Sequence, residues 1–320
     1  MTRQERRNLG LGLAFISPWI LGFMALCLYP LISIIYFSLC DYSVLSPAVY
    51  VGANNYVELY NDKVFWKSLS NTLYFAGFSI PISLVMSLFL AILLNFNLPG
   101  KGFFRTVYFL PSLVPMVCLA VLWQWMLSGE LGLVNMLLRP VLDTINHFLQ
   151  WTNGTFGTEF AAHFTAPNWL QDARYAKWGI IFTSVWGLGQ AVVIYLAGLQ
   201  DVPRYLYESA DIDGANFIQK TFHITIPILS PVIYFNTIMA LIGSFQVFAV
   251  PYVMTQTSNI GGDGPERSLL FMATYLYQNA FDYWNMGYAC AIGLVLFLII
   301  LSLTYLGTKL SERHIYYAGK

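Results

Sequence analysis

The residues able to do acid–base, nucleophilic or metal chemistry are few in this chain and scattered along it. Its 320 residues hold 16 Lys and Arg, 16 Asp and Glu, four His and four Cys. His147 and His163 share one polar stretch while His223 and His314 lie far from it, so no pair of imidazoles has the spacing of a metal site or a general acid and base. Cys27, Cys40, Cys118 and Cys290 fall in or beside apolar runs, where a thiol behaves as a small apolar side chain. No Gly-rich phosphate loop is followed by Lys and Ser or Thr, and no nucleophile elbow is present. The expectation is a chain with no catalytic residue, no metal and no cofactor of its own.

Neutral polar groups inside the apolar runs offer a different chemistry. Ser184, Trp186, Gly187 and Gln190 lie in one run, and Asn236, Gly243, Ser244 and Gln246 in another. Amides and hydroxyls need partners when they enter hydrocarbon, so such residues face other helices or a wet path. A path lined by amides and aromatic rings suits a neutral hydroxylated solute, whose hydroxyls take hydrogen bonds while its ring face stacks. Interhelical hydrogen bonding accounts equally well for any single one of these residues. No acidic or basic residue sits at the centre of a run, which weighs against a proton- or ion-coupled carrier.

The elements that must position these groups are membrane helices. With 57% hydrophobic and 10% charged residues and a mean hydropathy of +0.59, the chain has more apolar surface than a soluble core can hide. Apolar runs recur at 12–38, 69–94, 107–127, 178–199, 227–254 and 286–307, each near the ~20 residues that cross the hydrocarbon. They predict an all-α membrane protein of about six transmembrane helices, because a barrel would alternate apolar and polar residues. The first run follows Arg3, Arg6 and Arg7 but exceeds the about 7–15 apolar residues of a cleaved signal, so an uncleaved first helix is expected. With both termini in the cytoplasm, the short inner segments collect most of the Lys and Arg, which fixes the orientation as N-in and C-in. Zero formal net charge gives no electrostatic case for nucleic acid, and lipid is the expected surrounding.

Several interruptions are legible. Pro81 falls within the second run, while Pro111 and Pro115 open the third and are expected to kink it. Pro99-Gly100-Lys101-Gly102 reads as a short inner turn that makes the second and third spans antiparallel neighbours. The outer stretch 129–177 contains an amphipathic segment, with Leu133, Met136, Leu137, Val141, Ile145 and Phe148 at near-helical spacing. It is expected to lie along the membrane surface or under a partner, to be broken or kinked at Pro140, and to end in a loop tip at Gly154 and Gly157.

The inner stretch 200–226 is polar, charged and able to form helices between two spans. Asp201 and Pro203 suit a helix start, Asp213-Gly214 permits a sharp turn, and Phe217, Ile218 and Phe222 form a second amphipathic stretch. Thr225 and Pro227 then start the helix that becomes the fifth span. Asp201, Glu208, Asp211 and Asp213 stand against Arg204 and Lys220, an acidic excess on a face that otherwise gathers positive charge. Such a pair of helices suits a protein cleft with basic groups better than anionic lipid.

Within it, Glu208-Ser209-Ala210, three residues, Gly214, nine residues and then Ile224-Thr225-Ile226-Pro227 follow the spacing of a known signature. The chain here resembles the permease subunits of binding-protein-dependent ABC importers, whose cytoplasmic loop carries Glu-Ala-Ala, Gly and Ile-x-Leu-Pro at these intervals. Ser209 and Ile226 are mild departures. Leu28-Tyr29-Pro30, Gly52-Ala53-Asn54-Asn55-Tyr56, Ser70-Asn71-Thr72-Leu73, Gly132-Leu133-Val134-Asn135, Asn168-Trp169-Leu170 and Ala197-Gly198-Leu199-Gln200 resemble sugar-type permeases of the maltose and glycerol-3-phosphate importer group. Residues from about 140 to 166 look like an extension.

The resemblance implies the type I ABC importer permease fold in a prokaryotic cell membrane. It implies a first region, 1–68, a core of five spans, 69–310, with the coupling loop 200–226, and a tail, 311–320. It assigns Glu208, Ser209, Ala210, Asp213, Gly214, Ala215, Ile224 and Pro227 to energy coupling with two ATP-binding subunits, which would hold ATP and Mg. It further implies a second homologous permease and an extracytoplasmic solute-binding protein. A sugar or oligosaccharide is the expected solute. Glycerol-phosphate or another polar solute is the alternative within the family, and a secondary carrier or channel the alternative outside it.

Overall fold

The computed structural model describes residues 2–96, 99–156, 164–256 and 263–311. The expected tail beyond Ser311, and Gly157 of the expected loop tip, lie outside them. In chain order the helices are α1 (Arg3–Phe23), α2 (Tyr29–Phe37), α3 (Asn54–Asn61), α4 (Lys63–Asn95), α5 (Lys101–Phe109), α6 (Met116–Met126), α7 (Leu133–Phe156) and α8 (Ala173–Trp186). They continue with α9 (Gly189–Gln200), α10 (Arg204–Ile212), α11 (Phe217–Lys220), α12 (Ile226–Ile228), α13 (Ser230–Phe245), α14 (Ala249–Gln256), α15 (Met272–Tyr277) and α16 (Met286–Ser311). An antiparallel hairpin, β1 (Cys40–Ser43) and β2 (Ser46–Tyr50), stands in the first outer segment. Among the described residues there are, by length and composition, four helices able to span a membrane, or six if each of two bent pairs counts as one span.

Three breaks depart from straight spans. The third run is bent by 98° between Leu113 and Met116. The cause is Pro115, which drives the residue before it out of the helical region, so Val114 is extended at ψ 130°. A span bent this far cannot run antiparallel to α4 along its whole length, which corrects that expectation. The fourth run bends by 46° at Gly187 and Leu188, and the fifth is interrupted at Gln246 between α13 and α14.

The chain divides into two compact units. One comprises Met1–Phe65 and Tyr275–Ile299. In it the Asn55 amide donates to the carbonyls of Ser38 and Cys40, each at 2.9 Å, and the Tyr56 hydroxyl donates to Ser38 Oγ at 2.7 Å. These bonds tie α3 under the hairpin. Gly287 lets the start of α16 approach the same strand, since a Cβ there would fall 2.1 Å from the Cys40 carbonyl oxygen.

The other unit comprises Trp66–Thr274 and Ile300–Lys320, and holds two cores. Phe75, Trp123, Leu127, Ile180, Met254 and Phe271 form the one in the outer half of the spans. Ala91, Leu94, Leu188, Tyr195, Leu199 and Leu229 form the one in the inner half. The breaks at Gly187 and Gln246 fall between these cores along the chain. The loop after α14 is tied down where Asn71 donates to the Arg267 and Leu270 carbonyls, at 2.8 and 3.0 Å, and Met272 N–H donates to Thr72 Oγ1 at 3.0 Å.

The outer stretch corrects two expectations. The α7 helix runs through Pro140 to Phe156 and takes in Gly154, so neither the break nor the loop tip begins where the residue types placed it. Pro140 removes one amide, but both it and Met136, whose carbonyl loses that amide, are exposed, and the freed oxygen can be solvated.

Candidate functional site

The inner elbow is built from its backbone outward. Asp201 ends α9 rather than capping α10, whose N-cap is Pro203 in extended conformation, so the expected Asp cap is corrected. At the other end of α10 the amide of Gly214 bonds the Asp211 carbonyl at 3.1 Å and the amide of Ala215 bonds the Ala210 carbonyl at 2.9 Å. This is a Schellman motif, and it requires a left-handed residue at its pivot. Gly214, at φ +74°, supplies it. Asn216 and Gln219 then form a reciprocal capping box, with both bonds at 2.8 Å, that starts α11. The second arm runs on through a π-turn at Thr221–Thr225 into α12, so it is already helical before the Thr225 and Pro227 expected to start it.

Two contacts fix the angle of the elbow. Lys220 pairs with Asp211 across the turn. The Tyr207 hydroxyl meets Thr225 Oγ1 at 2.8 Å, and Tyr207 and Ile224 pack against the inner core. Ala210, Asp213, Gly214, Ala215 and Ile224 line a recess of about 350 Å³ together with Gln219, Lys220 and His223. The structure thus brings five of the eight expected coupling residues around one recess. Ser209 turns its hydroxyl onto the Tyr205 carbonyl at 2.9 Å, Glu208 is exposed on the outer side of α10, and Pro227 begins the climb into α13. Tyr205, Ile212, Phe217, Ile218 and Phe222 are also exposed, Ile212 by 88%. Burying one such side chain is worth about 1.5–3 kcal/mol, so this face has much to gain from a cover.

Most of the expected path residues lie at the breaks, whereas Asn236 sits in the interior of α13. Gly187 caps the C-terminus of α8 and Gln246 that of α13. Trp186 sits edge-on to Trp123, with ring centroids 5.7 Å apart, and Gln190 and Gly243 are exposed. Ser184, Asn236 and Ser244 bond the carbonyls of Ile181, Val232 and Leu241 on their own helices, and for the two serines this local bond satisfies the hydroxyl. Helix breaks near the middle of a membrane are where freed backbone groups are tolerated because they line a cavity.

A polar cluster in the first unit escaped the sequence reading. Asp62 caps α4 by accepting the Val64 amide at 2.7 Å, and it accepts the Tyr288 hydroxyl at 2.8 Å and the Tyr275 hydroxyl as well. Partial burial pushes its carboxyl up, but the two tyrosines and the amides of Val64 and Phe65 outweigh that and hold it below the usual carboxylate value. Burial, reinforced by Asp62, pushes the Tyr275 phenol up to about 12. Glu58, Asn61, Asn279 and Asn285 complete a polar cavity of about 410 Å³. Only the position of Asp62 just before a span, a common capping site, could have drawn attention to it.

The long apolar helices, with the polar elbow between two of them, define a membrane protein. Residues 63–315 match the family described as binding-protein-dependent transport system inner membrane component, and the chain belongs to that family. It is therefore a multi-pass permease of the cell membrane and a transport subunit, not an enzyme. The probable ABC transporter permease protein YesP of Bacillus subtilis is 32% identical over 100% of this chain and 96% of its own. The arabinooligosaccharides transport system permease protein AraP of the same organism is 32% identical, covering 93% of this chain and 87% of its own. The lactose transport system permease protein LacF of Rhizobium radiobacter is 33% identical over 92% of each chain. In fold, the chain superposes with a TM-score of 0.78 on one from the crystal structure of a bacterial alginate ABC transporter in complex with alginate pentasaccharide-bound periplasmic protein. That chain is 22% identical, with coverage of 97% here and 96% there.

Proposed function

We propose that this permease imports a sugar or oligosaccharide, delivered by an extracytoplasmic binding protein and driven by ATP hydrolysis in partner subunits that grip the elbow at 204–228. The observation that carries the coupling half of this reading is the Gly214 pivot. Its left-handed Schellman turn, capping box and cross-turn ion pair make a stiff bent lever whose exposed side is apolar. Closure of two ATP-binding subunits around such levers would tilt the spans attached to α9 and α12 and alternate access to the path. ATP and Mg would sit on those subunits, and a second, homologous permease would complete the path.

The solute reading rests on relatives named for arabinooligosaccharides and lactose. Trp186, Gln190 and Gln246 beside the breaks supply the amides and aromatic face that a hydroxylated ring would use. The test is reconstitution of the chain with its ATP-binding subunits, second permease and binding protein in vesicles. ATP-dependent accumulation of a labelled oligosaccharide is expected. Uptake by this chain alone, without ATP, would overturn the reading in favour of a self-sufficient carrier.

A further inference from the structure

The outer helix α7 presents three different faces, and its apolar one is open. At about 100° per residue, Leu133, Leu137, Val141, Ile145, Phe148 and Trp151 fall within an arc of about 120°. All six are exposed, Leu137 by 68%. A second arc faces the protein: the buried Asn135 donates to the Gly129 and Pro167 carbonyls at 2.8 and 2.9 Å and accepts the Trp169 indole N–H at 2.8 Å. Asn146, about three turns further on along the same side, bonds both the carbonyl and the amide of Phe164 at 2.9 Å. These bonds hold the helix by its polar side at fixed rotation. The third arc, with Arg139, Asp143, His147 and Gln150, is exposed and mostly polar, and Met136, expected on the apolar side, falls in it.

We infer that α7 lies in the outer membrane–water boundary, with the Leu137–Phe148 face sunk into lipid acyl chains and the Arg139–Asp143 face in water. Its place in the chain puts it at that depth, since it follows the end of α6 by a short link and precedes α8. Two apolar residues just before α7 are exposed as well: Trp125, near the outer end of α6, by 75%, and Leu131, in the link to α7, by 86%. Trp151, 6.0 Å from Phe148 between ring centroids, is of the type that favours the headgroup level. One Arg and one Asp on the wet face leave no charge excess to attract a protein partner, whereas a bilayer needs only the apolar arc. The inference rests on the chain being a membrane permease and is independent of the solute.

The test places a nitroxide at Leu137→Cys, Phe148→Cys and, separately, Asp143→Cys in the full chain, with the four natural cysteines replaced by alanine, in phosphatidylethanolamine and phosphatidylglycerol vesicles. Collision rates with oxygen, which concentrates in lipid, and with a water-soluble nickel chelate are then compared. The oxygen-to-nickel ratio is expected to be several-fold higher at 137 and 148 than at 143, and to stay so when the partner subunits and binding protein are added. Equal nickel access at all three positions would place the face in water and overturn the inference. Shielding of 137 and 148 from both agents, alone or on adding partners, would show a protein cover and overturn it too.

Discussion

Two regions outside the spans carry open apolar faces, and they solve opposite problems. The elbow of α10 and α11 is short, bent at Gly214 and acidic, and its exposed apolar residues spread over both arms. The outer α7 is 24 residues long and continues through Pro140, with most of its exposed apolar residues on one side. A one-sided stripe along a single helix matches a flat bilayer. A bent, charged knob does not, and is the shape the proposed docking into a partner subunit calls for. The same amphipathic chemistry thus reads differently according to the backbone that carries it.

The comparison breaks most visibly at its pivot. Gly214→Val places a branched side chain at φ +74°, where an L residue costs about 1–2 kcal/mol. A Cβ there would meet nothing within 4 Å beyond its chain neighbours, so backbone strain is the main effect tested. In the reconstituted importer, solute-stimulated ATP hydrolysis should fall about tenfold or more while the variant inserts normally, and Gly214→Asn, which tolerates this region, should lose much less. Asn135→Ala should act on the other region, stranding the Trp169 indole and two carbonyls at a cost of about 1–3 kcal/mol. It should lower the thermal midpoint in detergent and leave the ratio of transport to ATP hydrolysis unchanged. Tyr207→Phe removes one hydrogen bond across the elbow, worth about 1 kcal/mol, and should loosen coupling by a few-fold at most.

The smallest effect belongs to neither region and serves as a control. The lowered Asp62 carboxyl stabilises the first unit above the ordinary value of 3.8, and that contribution is lost as pH falls through its lower folded value. The raised Tyr275 phenol works the other way, contributing below its ordinary value of 10.0 and losing that as pH rises through about 12. Unfolding midpoints of Asp62→Asn should be less sensitive to acid than those of the parent, with coupling untouched near neutrality.

The spans were legible because a long apolar run has one answer in a membrane, and the elbow was legible because Gly214 sits where only a left-handed turn continues the pattern. The bend at Val114 was readable in position from Pro115 but not in size. Motifs seen only as resemblances have mechanical roles: Asn71 and Thr72 hold the loop after α14, and Asn135 of one motif binds Trp169 of another. The Asp62 cluster was not readable, because its partners lie 213 and 226 residues away and no local pattern marks them. The breaks at Gly187 and Gln246 were also missed as breaks, though the polar residues around them were noticed, since a Gly or Gln in an apolar run does not announce where packing divides into two cores.

The central claim is that the elbow transmits the force that drives transport, and Glu208→Ala tests it most directly. Glu208 is exposed, so its removal should leave insertion and folding intact. Uptake and solute-stimulated ATP hydrolysis would be measured in the same vesicles containing the complete assembly. Both should fall together, with binding-protein affinity unchanged. Coupled uptake at the parent rate would contradict the account.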